Sequence, residues 1–167
     1  MSGPGAALLG WALSALWLGA APPGEPGGPG VDLPPLGVSE RQPLDFEDVV
    51  AGIETKVSRL DPRRSGAVQI RGARDTEVQV AFALPRALAG PGGELLPIEF
   101  GPDDAGFGAQ PRPDQARGFD PEAPHLDRLG GNGRAFVFLG GKVSPVLGQR
   151  AGLYWTRVTV TVAYIGN

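Results

Sequence analysis

The sequence predicts an all-β chain folded as a sandwich or small barrel, and three observations carry that prediction. The last strand, Leu153 to Tyr164, places Val158, Val160, Val162 and Tyr164 in strict alternation with Arg157, Thr159, Thr161 and Ala163. That period of two gives a strand one apolar and one polar or small face. Six or seven shorter patterned segments precede it, each bounded by Gly or Pro. Outside the N-terminal run no window has helical periodicity, and Pro121 and Pro124 break the one long candidate, Asp114 to Leu129.

The elements follow in order. Ala6 to Ala21 is an uncharged apolar run closed by Gly19-Ala20-Ala21, the shape of a signal peptide over residues 1–21 with small residues at its processing site. Residues 22–42 begin with repeated Pro and Gly and are expected as a linker. A β-sandwich domain is expected over residues 43–167. Leu44, Phe46 and Val49 make its first short strand and Thr55 to Leu60 a second, weaker one. Segments 67–71 and 76–84 are close enough in sequence to pair as an antiparallel hairpin. Leu95 to Phe100 is another strand. From Gly101 to Gly133 the pattern collapses, and a long loop at 101–133 is expected, either functional or mobile. Phe136 to Leu139 reads as a central strand covered on both faces, with Gly140-Gly141 as a bulge or a close backbone crossing.

Composition limits the function. The 167 residues include 27 glycines and 18 prolines, crowded into residues 19–37 and 85–133, which leaves room for one modest core. The formal charge is -3 and the longest basic run is Arg63-Arg64, so no nucleic-acid partner is expected. There is no cysteine, which removes disulfides, thiolate catalysis and cysteine metal sites together.

Several pieces taken together look like a known pattern. They are L-D-F-E-D-V-V before Gly52, S-G-A-V-Q-I-R-G at 65–72, V-Q-V-A-F-A-L-P at 78–85, F-L-G-G-K-V at 138–143, and Q-R-A-G-L-Y at 149–154 before the alternating strand. This combination, over roughly Pro43 to Tyr164, resembles the bacterial exported domain of unknown function 4402 family, which is similar to spore coat protein U and pilin-like sandwiches. The resemblance implies an immunoglobulin-like or pilin-like antiparallel β-sandwich that is exported and serves as a surface or appendage component, with no cofactor and no catalytic residues. It gives Val158, Val160, Val162 and Tyr164 the role of a terminal strand open to strand addition by a neighbour. The tail around Val31, Leu33 and Leu36 is interrupted by Pro34 and Pro35, which withhold ladder donors.

Chemical sites are weakly signalled. His125, the single histidine, could enlist Asp120, Glu122 and Asp127 as metal ligands, and Asp103 and Asp104 could join Glu99 around calcium. The spacings fit solvated turns better, and no metal is assigned. A serine nucleophile would need Ser39, Ser58, Ser65 or Ser144 aimed at His125, and no G-x-S-x-G elbow exists. The glycines of G-P-G-G and L-G-G-N-G precede no helix and read as turns. Trp155 lies on the face opposite Tyr154, Val158 and Val160, where it is expected to be covered because both faces near the strand's start are buried, or alternatively to anchor a partner or a sugar. The expected function is that of a non-enzymatic, exported structural domain at the periplasm, cell surface or outside the cell. Its candidate assembly surface is Trp155, Val158, Val160, Val162 and Tyr164, and its expected partners are itself or other exported subunits. Membrane contact is expected only through the signal segment during export. The alternative is a monomeric extracellular module that binds a glycan or protein through the 101–133 loop.

Overall fold

The computed structural model describes residues 32–165, together with the backbone of residues 5–15. The chain is all-β, in two sheets. Its strands are β1 (Gly5–Ala15), β2 (Gly37–Gln42), β3 (Leu44–Val49), β4 (Thr55–Val57), β5 (Gly66–Arg71), β6 (Glu77–Ala83) and β7 (Ala87–Ala89). They continue with β8 (Leu95–Glu99), β9 (Ala105–Gly108), β10 (Arg117–Phe119), β11 (His125–Arg128), β12 (Arg134–Leu139), β13 (Gly141–Val143) and β14 (Tyr154–Tyr164). The larger sheet runs β11-β6-β14-β7-β8-β13-β4 and takes in β1 and β3 beside β14; the smaller runs β10-β9-β12-β5-β2.

The alternation in the sequence is the packing rule of the core. Tyr154, Val158, Val160, Val162 and Tyr164 of β14, Val78 and Val80 of β6, and Leu96 and Ile98 of β8 are buried from the larger sheet. Val68 and Ile70 of β5, Ala135, Val137 and Leu139 of β12, and Phe107 of β9 complete the cluster from the smaller one. Each buried valine contributes about 1.5–3 kcal/mol of transfer free energy relative to an exposed one.

Three expectations are corrected here. Segments 66–71 and 77–83 do not form a hairpin. β5 pairs with β12 and β2, whereas β6 pairs with β11 and β14 in the other sheet. The connection at Gly72 crosses between layers, its N–H bonded to the Gly133 carbonyl at 2.9 Å, and Val68 and Val78 reach the same core from opposite sides. The sandwich also begins earlier than residue 43, since Leu36 is buried and β2 adds Gly37–Gln42 to the edge of β5. The 101–133 tract, finally, is not a bare loop but holds β9, β10 and β11 and a short 3-10 turn at Pro113–Gln115. Its order comes from glycine. Gly106 and Gly108 leave the outer face of β9 clear, and Ala116 folds onto them. The Arg59 guanidinium ties the fold-back by donating to the carbonyls of Asp103 (2.9 Å) and Ala116 (3.4 Å).

Of the two readings of Gly140-Gly141, a bulge or a close crossing, the structure has the crossing. β12 lies in the smaller sheet and β13 in the larger, so the chain changes layer at Gly140. A Cβ there would stand 2.5 Å from the Val57 carbonyl oxygen, which only glycine avoids.

Two tyrosines close the ends of β14. Tyr164 Oη donates to the Pro34 carbonyl (2.8 Å) and accepts from the Ala73 N–H (2.7 Å), locking the incoming chain and the layer crossing to the last strand. Tyr154 Oη donates to the Arg150 carbonyl (2.7 Å) and accepts from Gln149 Nε2 (2.9 Å). The turn before β5 is held by Asp61, which accepts from the N–H groups of Arg63 (2.9 Å) and Arg64 (3.1 Å) and from Arg64 Nε (2.8 Å). The Arg63 amide first, and the Arg64 side chain after it, hold the Asp61 carboxyl below its ordinary value of 3.8.

Tyr164→Phe leaves the Ala73 N–H and the Pro34 carbonyl without their partner, and is expected to lower stability by about 1–3 kcal/mol in urea unfolding. For Asp61, a depressed folded-state pKa means a contribution that is complete above 3.8 and is lost as pH falls through the lower folded value. Asp61→Asn is therefore expected to destabilise at neutral pH, with the gap from the parent closing in acid. Unfolding midpoints between pH 7 and pH 2 measure this, and a gap that stays constant with pH counts against the assignment.

Candidate functional site

A strand must satisfy the backbone groups along both of its edges. β14 does so with two different kinds of neighbour. Along one edge it pairs antiparallel with β6, from Thr159↔Ala83 to Tyr164↔Val78, and with β7 at Trp155↔Ala89. Along the other it pairs parallel with β1, through nine register positions from Ala7↔Tyr154 to Ala15↔Val162. Val160 shows the arrangement, paired to Phe82 on one side and Leu13 on the other. β1 is in turn antiparallel to β3, from Gly5↔Val49 to Leu9↔Leu44, with a register shift between Ala6 and Leu8. Among the described residues β3 has no other strand partner.

β1 thus fills a slot one strand wide between β3 and β14. At about 4.8 Å per strand spacing, the two walls stand roughly 9.6 Å apart. The slot is lined by main-chain donors and acceptors, and it lies beside side chains that are wholly buried: Leu44 and Phe46 on β3, Val158, Val160 and Val162 on β14. Such a slot recognises an extended segment through its backbone, with little demand on side-chain chemistry beyond apolar alternation.

This places the sequence-derived candidates differently from one another. Val158, Val160, Val162 and Tyr164 belong to the core, so any assembly role they have passes through the backbone edge of β14 and not through exposed side chains. Trp155 is 54 % exposed on the opposite face, which corrects the expectation that both faces are covered near the start of the strand. Through Ala89 it shares a rung with Leu95, itself 62 % exposed, which makes a small apolar row on the outer surface. The apolar run read as a leader supplies β1. The signal that could have shown this is in Leu9, Trp11 and Leu13, which alternate with Gly10, Ala12 and Ser14 and stand in register with Thr156, Val158 and Val160. The processing residues Gly19-Ala20-Ala21 and linker residues 22–31 lie outside the described residues.

Most of the metal and nucleophile candidates are engaged in local structure. His125 stacks on Phe119 with ring centroids 4.0 Å apart and an interplanar angle of 10°, and its Nε2 is 3.3 Å from Asp127. Asp120 accepts from the Glu122 N–H in its own turn (2.9 Å). Asp104 accepts from the Gly101 N–H (2.7 Å) and lies 3.7 Å from Lys56, and Asp103 pairs with Arg59 at 3.3 Å. Glu99, with Glu54, binds Lys142 and raises the pKa of that ammonium. Ser65 donates to the Asp61 carbonyl and Ser58 accepts from the Leu60 N–H, so both hydroxyls serve their own turns. Among the described residues no three His, Asp or Glu side chains are grouped to hold a metal ion.

Replacing Val160 by Asp puts a charge into the core and is expected to abolish the cooperative unfolding transition, whereas Trp155→Ala should shift stability by no more than about 0.5 kcal/mol. Urea denaturation of the two variants checks the assignment, and a folded Val160→Asp protein with the parental midpoint would refute the inward face of β14.

A scan against protein-family models and a search of curated proteins both find no match to this chain.

Proposed function

We propose that the protein is an exported, non-enzymatic structural subunit with an immunoglobulin-like or pilin-like sandwich, which joins other subunits by strand addition at the slot between β3 and β14. The observation that carries the reading is the parallel nine-position ladder between β14 and a segment with the composition of a leader. In an exported chain that loses its leader, the Tyr154-to-Val162 edge of β14 and the facing edge of β3 are left open over a fully apolar core. An open edge of that length is a template for another strand. The resemblance over Pro43 to Tyr164 points the same way, and the Tyr154 hydroxyl bonded four residues back resembles the tyrosine corner of immunoglobulin-like domains.

The binding-module reading draws on the row formed by Trp155 and Leu95, which lies outside the slot. Under that reading the protein remains a monomer whatever happens to its N-terminus.

The test compares the full chain with one beginning at residue 22. The shortened chain is expected to be less stable or to self-associate, and a synthetic peptide of residues 5–15 should restore a stable monomer. Thermal unfolding and sedimentation, each with and without the peptide, read the outcome. A shortened chain that stays monomeric with an unchanged midpoint and does not bind the peptide would remove the slot as a functional site.

A further inference from the structure

We infer that the outer face of the smaller sheet carries a binding site for an acidic, uronate-bearing oligosaccharide. The site is a trough of about 500 Å³ above β2, β5 and β12, walled by Arg41, Arg71 and Arg134 and floored by Gln69 and Phe136, with Asn132 at its rim. It lies in the sheet that does not contain β14 and does not depend on the strand-addition reading.

Three observations meet there. Arg71 and Arg134 are paired directly across β5 and β12, and both are exposed, an arrangement of like charges that weakens a sheet. Neither they nor Arg41 forms an ion pair among the described residues, although acids outnumber bases in the chain and Arg59, Arg64 and Arg128 are all paired. Among the described residues no carboxylate lines the trough. The second observation is Gln69, only 3 % exposed, whose side-chain amide makes no hydrogen bond with the described residues. A buried amide without a protein partner is uncommon. Among the described residues no side-chain nitrogen or oxygen is both fully enclosed and unbonded, so the Gln69 amide is open to the trough it lines. The third is the floor itself. Phe136 pairs with Gln69 across the strands and is 7 % exposed, an apolar strip beside a donor–acceptor pair.

The chemistry of the ligand follows from that mixture. Guanidinium groups bind carboxylates through paired donors, and amides that both give and accept hydrogen bonds suit sugar hydroxyls. An apolar floor suits the C–H face of a pyranose ring. A phosphate backbone would ask for a longer basic track. An acidic peptide would gain most from main-chain pairing, and the trough lies over the face of β5 and β12, whose backbone groups are already paired to each other and to β2 and β9.

The test is calorimetric titration of the full chain with an oligogalacturonate, a neutral oligosaccharide of the same length, and oligoglutamate. Binding of the uronate oligomer alone, weakening as salt rises, is expected. Arg71→Gln and Arg134→Gln should each weaken it tenfold or more, with an unfolding midpoint that is unchanged or raised, because each substitution relieves the like-charge pair. Gln69→Leu should weaken binding while leaving its salt dependence in place. Absence of uronate binding, equal binding by the arginine variants, or oligoglutamate binding as tightly as the uronate would each overturn the assignment.

Discussion

The structure depends on keeping both edges of one eleven-residue strand occupied while its inner face stays dry. β14 holds Val158, Val160 and Val162 against the opposite sheet, and its backbone is served by β6 and β7 on one side and by β1 on the other. Remove either neighbour and hydrogen-bonding groups are exposed next to apolar side chains that have no reason to face water. The strand-addition role is therefore tied to what lies beside that strand, whereas the trough over β5 and β12 lies in the other sheet.

The abundance of glycine and proline works with this constraint. Glycine sits where two backbones meet too closely for a Cβ, as at Gly140, or where a loop folds flat onto a strand, as at Gly106 and Gly108. Proline closes segments at Pro85 and opens the 3-10 turns at Pro91 and Pro113. A composition that resembles disorder when counted serves here to join short strands across two layers.

Much of this was legible in the sequence, for a physical reason. Val158, Val160 and Val162 against Trp155 and Arg157 report a face directly, because period two has one geometric meaning in a strand. The crossing at Gly140-Gly141 was readable for the same sort of reason, since paired glycines inside an apolar run mark a place where side chains do not fit. The hairpin between 66–71 and 77–83 was misread because strand pairing is a non-local choice. Val68 and Val78 look alike in sequence whether they share a sheet or face each other across the core. The 101–133 tract hid its strands because their order rests on Arg59, far back in the chain, and on glycines that carry no hydrophobic pattern. The arginine trough was illegible, since Arg41, Arg71 and Arg134 are scattered in sequence and only the pairing of β2, β5 and β12 gathers them. Nothing local marks Gln69 as buried.

The hydroxyl of Tyr164 has a further consequence for connectivity. By fixing Pro34 beside the end of β14, it brings that residue to the same pole as Ala15, which stands in register with Val162. Residues 16–33 join two nearby points with a contour length of roughly 60 Å at about 3.4 Å per residue. The register of β1 on β14 is therefore set by the ladder itself and not by the length of chain that follows it.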